Sequence, residues 1–188
     1  MKRIYLFRHG SAYNNNECQE ASYSLNKSGV THAEALAERF KHNKVGQVFC
    51  SSLERAKDTC EVFLKHHHGK KPVMDYRLRE VLDEKCFYRH EGLVTRIHEF
   101  DSIRSAVYKT LLSIIHDSDE GDVYIFTHGH WIMFAVMAVL KSDPRAFFNM
   151  KVDFASVTVL EANDEGNIDL VLFNDCSHTK GLEHGCSL

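Results

Sequence analysis

Apolar residues along this chain keep two rhythms, and the two alternate from one end to the other. "IYLF" (residues 4–7) is an unbroken run that predicts a buried strand over residues 2–8. From Lys27 to Lys41 the apolar positions Val30, Ala33, Leu36, Ala37 and Phe40 recur at three- and four-residue spacing, which predicts an amphipathic helix. "VGQVFCSS" (45–52) reads as the next strand, with a helix from about Leu53 to His66. A short strand over 73–78 precedes a second amphipathic helix over 97–116, marked by Ile97, Phe100, Ile103, Val107, Leu111 and Ile114. "DVYIFTHG" (122–129) is a strand whose apolar run suits a sheet covered on both faces, and Trp131 to Leu140 reads as a mostly buried helix containing Met133 and Met137. "SVTVLEA" and "NIDLVLFN", joined by the turn "NDEGN", read as a closing hairpin. Alternating strands and helices predict an α/β fold: a three-layer α/β/α sandwich around a mainly parallel sheet.

Composition adds limits rather than direction. The chain has 188 residues, 44% apolar and 26% charged, which suits one domain able to bury roughly 70% of its unfolded surface. There is no repeat and no low-complexity linker, so residues 1–188 read as a single domain, with a short lid around 81–100 and a flexible tail over 179–188. A formal net charge of -3 leaves no basic footprint for nucleic acid or an anionic membrane. The apolar run from Trp131 to Leu140 is about half of the ~20 residues a membrane span needs. The apolar stretch before Arg8 is too short for a signal-peptide core, so the expected location is cytoplasmic. In that setting the six cysteines (18, 50, 60, 86, 176 and 186), with no Cys-x-x-Cys pair, read as free thiols.

The chemistry gathers where strands end. In an open α/β sheet, ligands bind beyond the carboxyl ends of the strands. The first strand ends in Arg8-His9-Gly10, the second leads to Arg55 in the first turn of its helix, and the strand over 122–127 ends in His128-Gly129-His130. Packing does not require so many donors on one edge, whereas a phosphoryl group does: arginine forks match its oxygens and a helix N-terminus adds N–H groups. An imidazole whose other nitrogen is held as N–H can attack phosphorus and carry the phosphoryl group covalently. Arginines and a second histidine offset charge on the group in transfer. A leaving alkoxide needs a proton, and "RLREVLDE" supplies Glu80, with Asp83 and Glu84 behind it. None of these steps needs a metal or another cofactor.

These residues resemble the histidine phosphatase superfamily, also called phosphoglycerate mutase-like. Arg8-His9-Gly10 is similar to its signature, "LNKSGVTHAEALA" (25–37) to its first helix start, and "SSLERAKDT" (51–59) to its second conserved element. "RLRE" (77–80) matches the position of its acid, "THGH" (127–130) that of its second histidine, and "FNDCSH" (173–178) a family ending. The resemblance implies a phosphatase that hydrolyses phosphate monoesters through a phosphohistidine on His9, with Glu80 as proton donor. It implies a phosphate pocket of Arg8, Arg55 and His128, joined by Asn15 and Gly129. Ser11-Ala12 replaces the common Glu-Thr or Glu-Ser; alanine there is more like the short-chain branch acting on protein phosphohistidine, although that branch often lacks the acid kept here as Glu80. The aromatic motif after the acid is reduced to "YRHEG" (88–92), and the short lid suggests an open pocket rather than a mutase that must keep water out.

The readings in play are therefore a phosphomonoesterase, a protein phosphohistidine phosphatase, a phosphoglycerate mutase and a non-catalytic phosphoryl-binding scaffold. The expected partner is a phosphorylated small molecule or phosphoprotein; the substrate's identity and the oligomeric state are not written in these residues. Cys176, His178, His184 and Cys186 form a candidate zinc set, outweighed by the family ending and the tail. His66-His67-His68 reads as a solvated helix end, and Asp117, Asp119 and Glu120 as a solvated acidic turn.

Overall fold

The computed structural model describes residues 1–13, 23–82, 97–119 and 121–182. Asn15, Asp83, Glu84, Glu120, His184, Cys186, "YRHEG", most of the expected lid and the last six residues of the tail lie outside the described residues.

The elements run β1 (Lys2–Arg8), α1 (Lys27–Phe40), β2 (Gln47–Ser51), α2 (Glu54–Leu64), β3 (Val73–Asp75), α3 (Ile97–Asp117), β4 (Val123–Thr127), α4 (Gly129–Val139), β5 (Val157–Ala162) and β6 (Ile168–Asp175). Six strands form one sheet in the order β3-β2-β4-β1-β5-β6. β1, β2, β3 and β4 pair in parallel, and β5 and β6 close the sheet antiparallel. This is the mainly parallel α/β arrangement expected.

Side-chain alternation along each strand makes the layers. Tyr5, Phe7, Tyr124 and Phe126 face one side, with Leu36 and Phe40 of α1 and Ala56 and Phe63 of α2. Ile4, Leu6, Val123 and Ile125 face the other, with Val107 and Leu111 of α3 and Trp131 and Phe134 of α4. Phe7 is fully buried, with ring centroids 4.9 Å from Phe126, 5.3 Å from Phe40 and 5.5 Å from Phe63. Truncating such a side chain to alanine costs about 3–5 kcal/mol.

The chain leaves β1 for β2 under α1, and leaves β4 for β5 under α4 on the opposite face. β1 and β4 are therefore the topological switch point, where a crevice opens beyond the strand ends. Arg8 pairs with Thr127 in register, so His9 and His128 leave neighbouring strands at the same level.

Several expectations shift. Val30 is exposed, and α1 instead buries Gly29, His32, Ala33, Leu36, Ala37 and Phe40. Gly29 seats against the backbone of Ser11, and Val30 lies at the margin of the buried face, 37% exposed. The strand over 73–78 stops at Asp75, whose carboxylate accepts the Arg77 backbone N–H (2.9 Å) and turns Tyr76–Leu78 into a 3-10 turn. Of the three consecutive histidines, His67 is buried and stacked on Phe63 (4.8 Å), while His66 and His68 are exposed. Cys50 and Cys60 are buried free thiols, but Cys176 is disulfide-bonded, which corrects the free-thiol reading there. Met137 is core and Met133 packs against it. No helix among the described residues is long and apolar enough to cross a membrane.

Candidate active site

His9 is the first residue past β1, and both its backbone groups are bound. Its N–H donates to the Thr127 carbonyl (3.1 Å), and its carbonyl accepts from Ala155 (3.1 Å). The imidazole Nδ1 lies 2.7 Å from the Gly10 carbonyl, which can only accept, so Nδ1 carries the proton. Nε2 is then the basic nitrogen, and it accepts from Arg55 Nε at 3.1 Å. Burial, followed by the charges of Arg8 and Arg55, pushes the His9 pKa well below the usual histidine range. The ring is thus neutral at physiological pH, with one nitrogen lone pair aimed at the arginine.

Gly10 lets the chain turn at this point. A Cβ there would meet the Gly29 carbonyl oxygen at 2.4 Å, and one on Gly29 would meet the Ser11 oxygen at 1.8 Å. The two backbones touch because neither residue has a side chain. The Gly10 N–H donates to Thr59 Oγ1 (3.0 Å), which donates onward to the Arg55 carbonyl (2.7 Å). The loop after His9 and the helix that carries Arg55 are therefore tied by one threonine.

Arg8 donates to the Val152 carbonyl, and its guanidinium lies 4.1 Å from the centre of the Phe154 ring. Arg55 is buried in the first turn of α2. A Cβ on Gly129 would come within 3.2 Å of Arg8 Nε, so the glycine leaves room for that side chain. His128 is fully buried, its ring 5.1 Å from that of His9. Its Nε2 pairs with Ser51 Oγ (2.8 Å), while Nδ1 has no partner among the described residues. Burial first, then His9, Arg55 and Arg8, hold its pKa well below normal.

Glu80 follows the 3-10 turn, which two side chains pin to β4 and α4. Thr127 Oγ1 donates to the Leu78 carbonyl (2.7 Å), and Trp131 Nε1 donates to the Arg77 carbonyl (3.0 Å). The Glu80 side chain is 8% exposed, with Oε1 accepting from the Val81 N–H (3.1 Å) and lying 3.6 Å from His130 Nδ1. Burial raises its pKa to about 7, despite the opposing pull of Arg8, Arg55 and two backbone N–H groups. Near neutrality it is a carboxylic acid for much of the time.

The structure thus brings Arg8, His9, Arg55, Glu80, His128 and Gly129 to one sheet edge, whereas Asn15 lies outside the described residues. Sequence reasoning missed the roles of Ser51 and Thr59, although both stand in the quoted "SSLERAKDT". It missed Phe154 altogether, because an irregular loop carries no periodic signal. The zinc reading fails at two of its four members: Cys176 is in a disulfide, and both ring nitrogens of His178 are engaged, by Arg39 and by the Ala155 carbonyl.

Residues 4–99 and 95–176 match the histidine phosphatase superfamily (branch 1). Among curated relatives, the chain is 24% identical to the mitochondrial serine/threonine-protein phosphatase Pgam5 of Caenorhabditis briggsae, over 94% of its own length and 64% of the relative's. It thus spans under two thirds of that relative. It is 27% identical to a Schizosaccharomyces pombe protein named a probable phosphatase, covering 97% of this chain and 98% of the other. Among solved structures, Entamoeba histolytica phosphoserine phosphatase bound to 3-phosphoglyceric acid shares the fold, with a TM-score of 0.79, 18% identity, and coverage of 95% and 99%. With the family match running from β1 to the end of β6, this chain belongs to the histidine phosphatase superfamily.

Proposed function

We propose that this chain is a metal-independent phosphatase that hydrolyses phosphate monoesters through a phosphohistidine on His9. One observation carries the reading: a neutral His9 with its Nε2 lone pair turned to Arg55 stands at the same edge as a buried, protonatable Glu80. On substrate arrival, Arg55 exchanges Nε2 for a phosphoryl oxygen and frees the lone pair. Nε2 attacks phosphorus in line, the P–O bond to the leaving group breaks, and Glu80 gives its proton to the departing oxygen. Arg8, Arg55 and His128 hold the equatorial oxygens and offset their charge without a metal. In the second half, the Glu80 carboxylate takes a proton from water as the water attacks phosphorus and the P–Nε2 bond breaks. Free phosphate and neutral His9 are returned.

A retained acid favours poor, alkoxide leaving groups over phosphohistidine, which departs without such help. The relatives' names support phosphoserine, free or in a protein, as the first ester to try. The test is hydrolysis of p-nitrophenyl phosphate and of phosphoserine by the wild type and by His9→Ala. Activity should fall to background in the variant. Retained turnover would defeat the proposal, and phosphoryl exchange between metabolites without phosphate release would favour a mutase.

A further inference from the structure

Behind the nucleophile lies a set of contacts that no step of this reaction uses. The irregular segment 152–156, just before β5, touches both Arg8 and His9 along its length. The Val152 carbonyl accepts from the Arg8 side chain, and the Ser156 carbonyl accepts the Arg8 backbone N–H (3.2 Å). Phe154 lies under the guanidinium and 5.8 Å from the His9 ring, and Ala155 donates its N–H to the His9 carbonyl. Ala155 does so at φ 53°, a left-handed conformation that residues with a Cβ rarely hold unless their surroundings enforce it.

The enforcement comes from the end of β6 and the turn after it. Asn174 Oδ1 accepts the Asp153 backbone N–H (2.6 Å), and its Nδ2 donates to the Asp153 carboxylate (2.9 Å). His178 Nε2 donates to the Ala155 carbonyl (3.0 Å), which fixes the proton on that nitrogen and leaves Nδ1 to accept from Arg39 (3.2 Å). Arg39 is itself anchored on Asp175 at 2.6 Å. Two side chains of "NDCSH" therefore clamp the residues on either side of Phe154.

We propose that Asn174 and His178 are positioning residues that act through segment 153–155 to hold His9 and Arg8 in register for phosphoryl transfer. The inference rests on His9 being the nucleophile. A displacement of about 1 Å at a reacting group can cost ~100-fold in rate, so a slack clamp shows in the chemistry before it shows in folding.

The experiment measures single-turnover phosphorylation of His9 by an aryl phosphate, together with KM and the thermal midpoint, for the wild type, His178→Leu, His178→Gln and Asn174→Ala. In His178→Leu the phosphorylation rate should fall ~10–100-fold while the midpoint moves by only a few degrees. His178→Gln, which keeps a donor for the Ala155 carbonyl, should recover most of that rate. A folded His178→Leu with wild-type rate and KM overturns the proposal, as does equal loss in the Leu and Gln variants. If His178→Leu does not fold, Asn174→Ala carries the same test: a rate loss of that order at an intact midpoint supports the clamp, and a wild-type rate overturns it. If the wild type itself forms no phospho-His9, the fault lies with the proposed function; if it does and the folded variants match it, the fault lies with the clamp.

Discussion

His9 and Glu80 share one edge of the sheet but hang from different kinds of backbone. His9 is a continuation of a central strand. Its N–H, its carbonyl and its ring are each bound, and Gly10 and Gly29 fix the exit path by direct backbone contact. Glu80 follows an edge strand of three residues and a 3-10 turn, held through Leu78 and Arg77 rather than through its own ladder bonds. Under the proposed mechanism the difference would follow the chemistry: phosphorus is the same in every substrate, so its receptor can be rigid and central. Leaving groups vary, and the proposed acid that meets them sits on a loop.

That contrast can be broken in order of effect. Glu80→Gln should slow the single-turnover phosphorylation of His9 by alkyl phosphates ~10²–10⁴-fold, while aryl phosphates with good leaving groups lose far less in that step. Equal loss on both, measured side by side, would mean that the acid role is wrong. Arg55→Ala should instead cost ~10²–10³-fold on both classes, because it acts on the phosphoryl group and not on what leaves. A loss confined to alkyl esters would blur the two sides into one.

A smaller effect is on stability. The Glu80 carboxyl titrates near 7 when folded, above its ordinary 4.5. The folded state therefore holds the proton more tightly, and this favours folding fully below pH 4.5 and is lost as pH rises through 7. At about 1.4 kcal/mol per pH unit, the buried carboxylate costs about 3 kcal/mol above pH 7. Glu80→Gln should unfold at a higher temperature than the wild type at pH 8, with the gain vanishing near pH 4. Smallest is the shift in the pH–rate profile: on alkyl esters, kcat/KM should fall as pH rises through about 7, and that limb should disappear in Glu80→Gln.

The ends of β1 and β4 were legible because apolar runs stop abruptly on Arg-His-Gly and His-Gly-His. The order of elements was legible too, since strand runs and helical spacing are local. What escaped was set by tertiary approach. Val30 sits at a proper helical spacing, yet it lies at the margin of the face that α1 buries, which centres on Gly29, Ala33, Leu36 and Phe40. His67 follows α2 as a helix-end cation would, yet its ring is spent on Phe63. Cys176 carries no spacing signal for its disulfide. Phe154 and Ala155 stand in an irregular loop, so neither the stacking under Arg8 nor the left-handed backbone leaves a pattern to read. The side chains that meet at this edge were visible as residue types at strand ends; their supports were not.

The central claim is that the phosphoryl group passes through His9 Nε2. Mixing enzyme with phosphoserine or an aryl phosphate, quenching in alkali and sequencing the peptides by mass spectrometry tests it directly. One phosphoryl group should be found on the peptide bearing His9, stable in base, lost in acid, and absent from His9→Ala. Hydrolysis with no phosphopeptide, or with the group on Ser11 or another residue, would contradict the account.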